Sequence, residues 1–330
     1  MYILSEDNVK KIATPELAFT AVSEAFIAAY KNLGDIFPVV IAKGCDEGNI
    51  FSIKSGNLSA LRLSGLKVGS YWADNHLKGL SNHGTTTLLL DEATGRPHAV
   101  INAGYLNGLR TAAANAVATH QLARKDAKVL SVLGAGHQAI FEVKALCRIR
   151  DIETVLISSR SPASVERAVQ ALNSAGIAAK AADTETACRQ ADILVTVTNA
   201  TEPLFDDASW IKPGTHISAM GADQSGKQEL PLALLNDNSL FADLPAQSRA
   251  IGEFERASKA NSNLTITAIG AVLKGDAAGR TSEAQITIFD SSGIALQDLC
   301  VAKVVLDQAI ENDMVTDVGF KNFALTAQIN

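Results

Sequence analysis

Apolar residues along the chain follow two different periods. Up to about residue 102 they occur in short β-rich pieces broken by turns: FPVVIA from Phe37, IFSIKSG from Ile50, LSGLKVGSYW from Leu63 and HGTTTLLLD from His83. Asp91–Gly95 reads as a turn and His98–Ile101 as one more strand, so this stretch predicts an antiparallel or mixed sheet. Residues 2–4 are strand-like. Thr14-Pro15-Glu16 places an N-cap, a proline and an early acid ahead of a helix whose apolar face is Ala18, Val22, Ala25, Phe26 and Ala29. From Leu109 an alanine-rich helix runs to about Arg124, and the pattern then changes. Continuous apolar runs at 129–133, 153–158, 178–181, 193–198, 216–220, 239–243 and 286–289 alternate with helix-period segments at 138–149, 162–175, 183–190 and 295–312. That alternation predicts a parallel sheet covered on both faces. The fold class expected is therefore α/β beside an α+β region, with a boundary near 110–125.

The second region opens on Lys128–Ala139, KVLSVLGAGHQA. Strand, glycine turn, then helix is the context of a dinucleotide-binding fingerprint. Gly134 makes the turn, Gly136 lets backbone approach a pyrophosphate, and Ala139 takes the third small position. Ala135, His137 and Gln138 complete the turn and start the helix, whose unpaired N–H groups suit phosphate. An acidic residue for the adenosine ribose is expected roughly 20 residues on. The second strand ends instead at Ser158-Ser159-Arg160-Ser161. Ser159, Arg160 and Ser161 are compatible with the 2′-phosphate of NADPH; an arginine stacked on adenine leaves NADH usable, so the cofactor expected is NAD(P)H. Thr198 and Asn199 close the next strand on the nicotinamide-ribose side. Thr111, Met220 and Gly221 are further cofactor candidates.

Length and composition narrow the classes. A chain of 330 residues is long for one domain and comfortable for two. A net charge of -6 argues against a nucleic-acid or anionic-membrane partner. The cysteines at 45, 147, 188 and 300 form no CxxC, and the six histidines show no ligand spacing. Neither a disulfide frame nor a metal site is expected, and the compartment expected is the cytoplasm. The first residues carry no basic segment leading into an apolar run, so no signal peptide is expected.

A ligand bearing a carboxylate needs cations to hold it. Arg110 can supply a bidentate guanidinium and Lys67 a point charge. Asp223 follows a parallel strand, where α/β sites gather; it can pair with a cationic group of a ligand, or simply cap its turn.

Gly65-Leu66-Lys67, Leu109-Arg110-Thr111, Gly134-Ala135-Gly136, the run Gly221–Leu230 and the segment ITIFDSSGIALQD from Ile286 to Asp298 resemble the ornithine cyclodeaminase/mu-crystallin family. The resemblance implies a substrate-binding and dimerisation domain of residues 1–115, completed by about 310–330, beside a Rossmann NAD(P)-binding domain of residues 116–309. It implies a homodimer that handles amino acids through imines with a nicotinamide cofactor. It also implies that Lys67 and Arg110 bind carboxylate and that Asp223 and Lys67 are catalytic.

Family members range from cyclodeaminases to imine reductases, amino-acid dehydrogenases and cofactor-binding crystallins. The cyclodeaminases carry an arginine upstream of the lysine that matches Lys67, whereas here no arginine precedes Arg62. Lys54-Ser55-Gly56 stands on the strands leading to the pocket instead; Lys54 and Ser55, with His83 as another donor, can grip a second acidic group. SIKSG, GLKVGSYW and LNGLRTAAA also resemble the branch containing ectoine-utilisation proteins and iminosuccinate reductase. The activity expected is reduction of a small imino acid, iminosuccinate to L-aspartate being the sharpest candidate. The alternatives are ornithine cyclisation to proline, Δ1-pyrroline-2-carboxylate or ketimine reduction, alanine dehydrogenation, and cofactor binding without turnover.

Overall fold

A computed structural model describes residues 1–319. The last eleven residues of the expected C-terminal return, 320–330, lie outside the described residues. The first part of the chain forms β1 (Tyr2–Leu4), β2 (Val40–Lys43), β3 (Ile50–Leu58), β4 (Leu63–Tyr71), β5 (His83–Leu90) and β6 (Pro97–Asn102). Strands β2 to β6 are antiparallel neighbours, and β1 joins β6 in parallel. Thr14 caps the helix Pro15–Tyr30 by accepting from Leu17 N, as the Thr-Pro-Glu signal requires. A short helix, Glu6–Ile12, was not legible in the apolar period; its N-cap is Ser5.

The alanine-rich helix spans Gly104–Leu122, five residues earlier than its sequence pattern suggests. Gly104 and Gly108 read as breakers, but tertiary packing overrides propensity here. A Cβ on Gly108 would lie 3.0 Å from the Phe141 ring, so the glycine lets two helices close on each other.

Strands β7 (Val129–Leu133), β8 (Thr154–Ser158), β9 (Ala179–Ala181), β10 (Ile193–Thr196), β11 (His216–Ala219), β12 (Ser239–Ala242), β13 (Ile266–Ala268) and β14 (Thr287–Asp290) form an all-parallel sheet. Its order is β13-β12-β14-β11-β10-β7-β8-β9. This is the doubly wound arrangement, with its switch point between β7 and β10. Successive β10 residues feed opposite cores: Ile193 and Val195 join one, Leu194 the other. The strand β13 and the short helices between 232 and 274 escaped the sequence pattern. After the helix Ala295–Glu311 the chain makes β15 (Thr316–Asp317), antiparallel to β1 on the edge of the first sheet.

One core runs from Leu4 and Leu89 on the first sheet to Val132 and Phe289 on the second. The helix Ala295–Glu311 lies on β3 and β4 and against the helix Pro15–Tyr30, so the return to the first sheet begins in space at Ala295. Gly65 is required there, because a Cβ would sit 2.4 Å from Leu88 O and 3.0 Å from Leu299. The opposite face of the first sheet carries Ile3, Val40, Phe51, Ile53, Leu66, Val68, Leu88 and Val100, all partly or largely exposed. No single helix among the described residues is long and apolar enough to cross a membrane.

Phe26 is fully buried and meets Phe289 of β14 edge-on at 6.3 Å, joining the two layers. Phe26→Ala is expected to cost about 3–5 kcal/mol, read as a shift of a single cooperative transition in chemical denaturation.

Candidate functional site

Register places Lys54 of β3 directly opposite Lys67 of β4, on the sheet face that meets the helix Ala295–Glu311. Both side chains are buried, as is Arg110 on the helix Gly104–Leu122. Three neighbouring buried cations need a counter-charge. Asp298 provides it from the first turn of the helix Ala295–Glu311. Its Oδ1 lies 2.9 Å from Arg110 Nε and its Oδ2 3.2 Å from Lys67 Nζ. Arg110 donates to Asn107 Oδ1 at 2.8 Å and to Gln297 Oε1 at 3.2 Å; Lys67 donates to the same Asn107 oxygen at 3.1 Å. Lys54 donates to the carbonyls of Ser292 and Gly293 at 2.8 and 2.7 Å, just past β14. Gly293 has φ +76, and a Cβ there would lie 2.9 Å from Arg110 Nη1 and 3.2 Å from Lys54 Nζ. Only glycine suits that turn.

The charges reshape one another. Burial, helped by Arg110, pulls the Lys67 ammonium down to about 7 against the attraction of Asp298. Burial and Arg110 also lower Lys54. Burial would raise Asp298, but Arg110, Lys67 and Lys54 together hold it below the usual carboxylate range.

A cavity of about 360 Å³ opens between the two sheets. Lys54, Lys67, His83, Arg110, Asn199 and Asp223 all line it. His83 packs on Tyr71 with ring centroids 5.0 Å apart, and its ring nitrogens make no hydrogen bond among the described residues. Asp223 is half-exposed on the loop after β11, its Oδ1 2.6 Å from Lys227 Nζ. Its partial burial would raise the carboxyl, but Lys227, Lys54 and Lys67 outweigh that and keep it lowered. Lys227 also donates to Gly221 O and Asn199 Oδ1, fastening this loop to the end of β10.

Two buried carboxylates hold the loop from below. Glu229 accepts from Thr196 Oγ1, Thr198 N and Oγ1, and Gly221 N, at 2.6–2.9 Å. Those bonds end β10 at Thr196, two residues short of the apolar run. Glu253 in turn accepts from the backbone N–H of Glu229 and Leu230.

The glycine turn stands at the carboxyl end of β7. Gly134 has φ +131, and a Cβ would meet Val197 O at 2.5 Å. Gly136 heads the helix His137–Ile149 without a side-chain cap, and the place of its missing Cβ is open space. Unpaired N–H groups facing a cradle that any side chain would fill suit a pyrophosphate. Ser159, Arg160 and Ser161 follow β8 beside it, where Gly134 N donates to Ser158 O. Met220 and Gly221 follow β11.

One sequence-based site expectation needs correcting. Ser55 does not line the cavity: a strand turns alternate residues to opposite faces, and Lys54 has the inner one. The Thr111 hydroxyl bonds back to Asn107 O within its own helix. The Gln138 side chain turns inward, to Gly108 O and Glu142, while its backbone N–H stays in the first turn of the helix. Conversely, Asp298, Asn107 and Glu229 hold the site together without a signal of that role in the sequence pattern. Asn107 lies three residues before Arg110, a helical spacing that the apolar pattern, which begins at Leu109, does not reveal.

The sequence model of the ornithine cyclodeaminase/mu-crystallin family matches residues 9–313. The chain belongs to that family. It is 36% identical over 320 residues to iminosuccinate reductase of Paracoccus denitrificans, covering 96% of this chain and 99% of that one. The crystal structure of that reductase with NAD+ superposes with a TM-score of 0.89, over 96% and 98% of the two chains. Alanine dehydrogenase of Archaeoglobus fulgidus is 34% identical over 327 residues, 96% and 98% of the chains. An archaeal alanine dehydrogenase dimer with bound NAD gives a TM-score of 0.90 at 34% identity, over 97% and 99%. The α/β fold with a Rossmann-type sheet and the family expected from sequence are thus both found.

Folded Lys67 sheds its proton above about pH 7, whereas the unfolded chain keeps it up to its ordinary value of 10.5. The folded state therefore binds fewer protons in that window, and stability gains up to about 1.4 kcal/mol per pH unit there from this residue. Denaturation midpoints measured from pH 7 to 10 are expected to rise less steeply in Lys67→Met.

Proposed function

We propose that this protein is an NAD(P)H-dependent imine reductase converting a small imino acid to its L-amino acid, with iminosuccinate to L-aspartate the best candidate. The observation that carries this reading is the convergence of Arg110, Lys67, Lys54, His83 and Asp223 on one cavity at the carboxyl ends of the parallel strands. Arg110 and Lys67 hold the α-carboxylate, kept in register by Asp298 and Asn107. The third donor of Lys54 and the ring of His83 meet the distal carboxylate. Asp223, kept ionised by its lysine neighbours, faces the substrate nitrogen and favours its positive charge, which makes the imine carbon electrophilic.

Gly134, Gly136 and the helix after them would hold the pyrophosphate, and Thr198, Asn199, Met220 and Gly221 the nicotinamide side. Ser159, Arg160 and Ser161 would accept a 2′-phosphate. When bound, the reduced nicotinamide supplies the hydride. Iminosuccinate reductase at 36% identity, and its NAD+ complex, support this assignment.

We place residues 1–115 and the return from Ala295 in a substrate and dimerisation unit, and 116–294 in the cofactor unit. The protein forms a homodimer through the apolar outer face of the first sheet; the archaeal neighbour is a dimer. Its four unpaired cysteines fit the cytoplasm. Among the described residues, no group of three metal-ligating side chains comes together, and neither nucleic acid nor membrane is assigned as a partner.

Cofactor oxidation with NADH or NADPH is to be followed with oxaloacetate plus ammonia, pyruvate plus ammonia, and Δ1-pyrroline-2-carboxylate. The dicarboxylic substrate is expected to have the highest kcat/KM, and equal rates with all three would overturn the assignment. Lys54→Met is expected to raise KM for the diacid roughly 10-fold or more while sparing pyruvate plus ammonia.

Leu66→Glu with Val68→Glu is expected to convert a dimer into monomers in sedimentation, because burying two carboxylates costs more than the face gains.

A further inference from the structure

Glu142 is fully buried in the helix that begins at the glycine turn, and the reaction outlined above does not use it. Its Oε1 accepts from Gln138 Nε2 at 2.7 Å and its Oε2 from Asn115 Nδ2 at 2.8 Å. Gln138 also donates to Gly108 O at 3.2 Å. Asn115 and Gly108 both belong to the helix Gly104–Leu122, which carries Arg110. One carboxyl therefore ties the helix of the glycine turn to the helix of the substrate cation.

Beyond Asn115 the bonding continues. Thr119 Oγ1 donates to Asn115 Oδ1 at 2.8 Å and lies 3.5 Å from Ser218 Oγ; Ser218 Oγ lies 3.1 Å from His216 Nε2, and His216 Nδ1 2.9 Å from Thr287 Oγ1. Part of this chain can reverse. With Glu142 protonated, its O–H donates to Asn115 once that amide turns over. Asn115 then donates to Thr119, and Thr119 donates to Ser218. Ser218 still donates to His216, and Gln138 still donates to the other carboxyl oxygen. Both charge states of Glu142 are thus fully hydrogen-bonded, an unusual provision for a buried acid.

The charges around it are few. Arg110 acts on it from the helix Gly104–Leu122. From the strand β7 and the helix Pro162–Ser174 only Ser131 and apolar side chains are buried. His137, Lys144 and Arg148 of its own helix are exposed. Burial pushes Glu142 up to about 7. Gly136 lies six residues earlier, about 9 Å along the helix axis.

We propose that Glu142 is a proton-linked positioning residue: its carboxyl takes a proton from solvent when a dinucleotide pyrophosphate settles on Gly136, and the chain through Asn115 reverses to accept it. An anion on the turn disfavours a carboxylate beneath it, and a substrate carboxylate that neutralises Arg110 disfavours it further. Each ligand therefore favours the protonated form, so each favours the other. The inference rests on the reading that a nicotinamide dinucleotide binds at the glycine turn.

The test is calorimetric titration of the full-length protein with NADH, and separately NADPH, in buffers of different ionisation enthalpy. Between about pH 7 and 8 the wild type is expected to take up a fraction of a proton per cofactor bound. Its Kd is expected to rise by up to about tenfold per pH unit. Glu142→Gln is expected to bind with neither proton uptake nor this pH dependence. His120→Asn, which removes an exposed imidazole in the last turn of the helix Gly104–Leu122, is expected to retain both. Binding by the wild type without proton uptake overturns the inference alone; uptake that persists in Glu142→Gln, or vanishes in His120→Asn, does so too. Failure of both dinucleotides to bind overturns the cofactor reading itself.

Discussion

Three cations share one small buried volume, and that crowding governs the rest of the architecture. Arg110, Lys67 and Lys54 come from a helix and two adjacent strands, and their mutual repulsion in a poorly solvated site works against folding. Asp298 reconciles them. It sits in the first turn of a long helix, where the helix dipole itself favours a carboxylate. That helix packs on the sheet bearing both lysines, so its placement and the charge balance of the site are one constraint. The carbonyls of Ser292 and Gly293 take up Lys54, which requires the turn after β14 to be glycine.

From that constraint follows a division of labour. The first sheet supplies a fixed cationic wall. The loop after β11 supplies the opposing carboxylate, Asp223, and this loop is fastened rather than free: Glu229 gathers four donors from the ends of β10 and β11, and Glu253 holds the backbone of Glu229. The carboxyl ends of β7, β8, β10 and β11 then meet the wall across a cavity. A ligand bridging the two halves would replace the water between fixed charges of both signs. Preorganised dipoles and charges of this kind stabilise a developing charge without reorganising.

Buried carboxyls recur as fasteners in this protein. Glu142 joins two helices, Glu229 joins two strand ends, and Asp192 accepts from the N–H groups of Lys128 and Val129 at the start of β7. Each satisfies several donors that would otherwise be stranded inside, which is what makes a buried acid tolerable. Glu142 differs in that its partners can accommodate either of its charge states, whereas Asp192 faces only donors and cations.

Local pattern was sufficient for much of this. Strand and helix periods, the Thr14-Pro15 cap and the Gly134–Gly136 turn are short-range signals; the structure contains the cap and the turn where the pattern lies, and the strands and helices with ends shifted by packing and by Glu229. Lys67, Arg110 and Asp223 were legible through the motifs that carry the family resemblance, and Lys54, His83 and Asn199 as polar groups on strands or strand ends leading to the expected pocket. What no local pattern carries is direction and partnership. Period two alone could have turned Ser55 away from Lys54, but which face meets the helix Ala295–Glu311 depends on packing between segments more than two hundred residues apart. The same holds for Asp298: it is an ordinary first-turn acid in sequence, and becomes the counter-ion of the site only when its helix is laid on β3 and β4. Burial likewise sets the charge on Lys67 and Glu142, since desolvation is a property of the assembled fold and not of the residue.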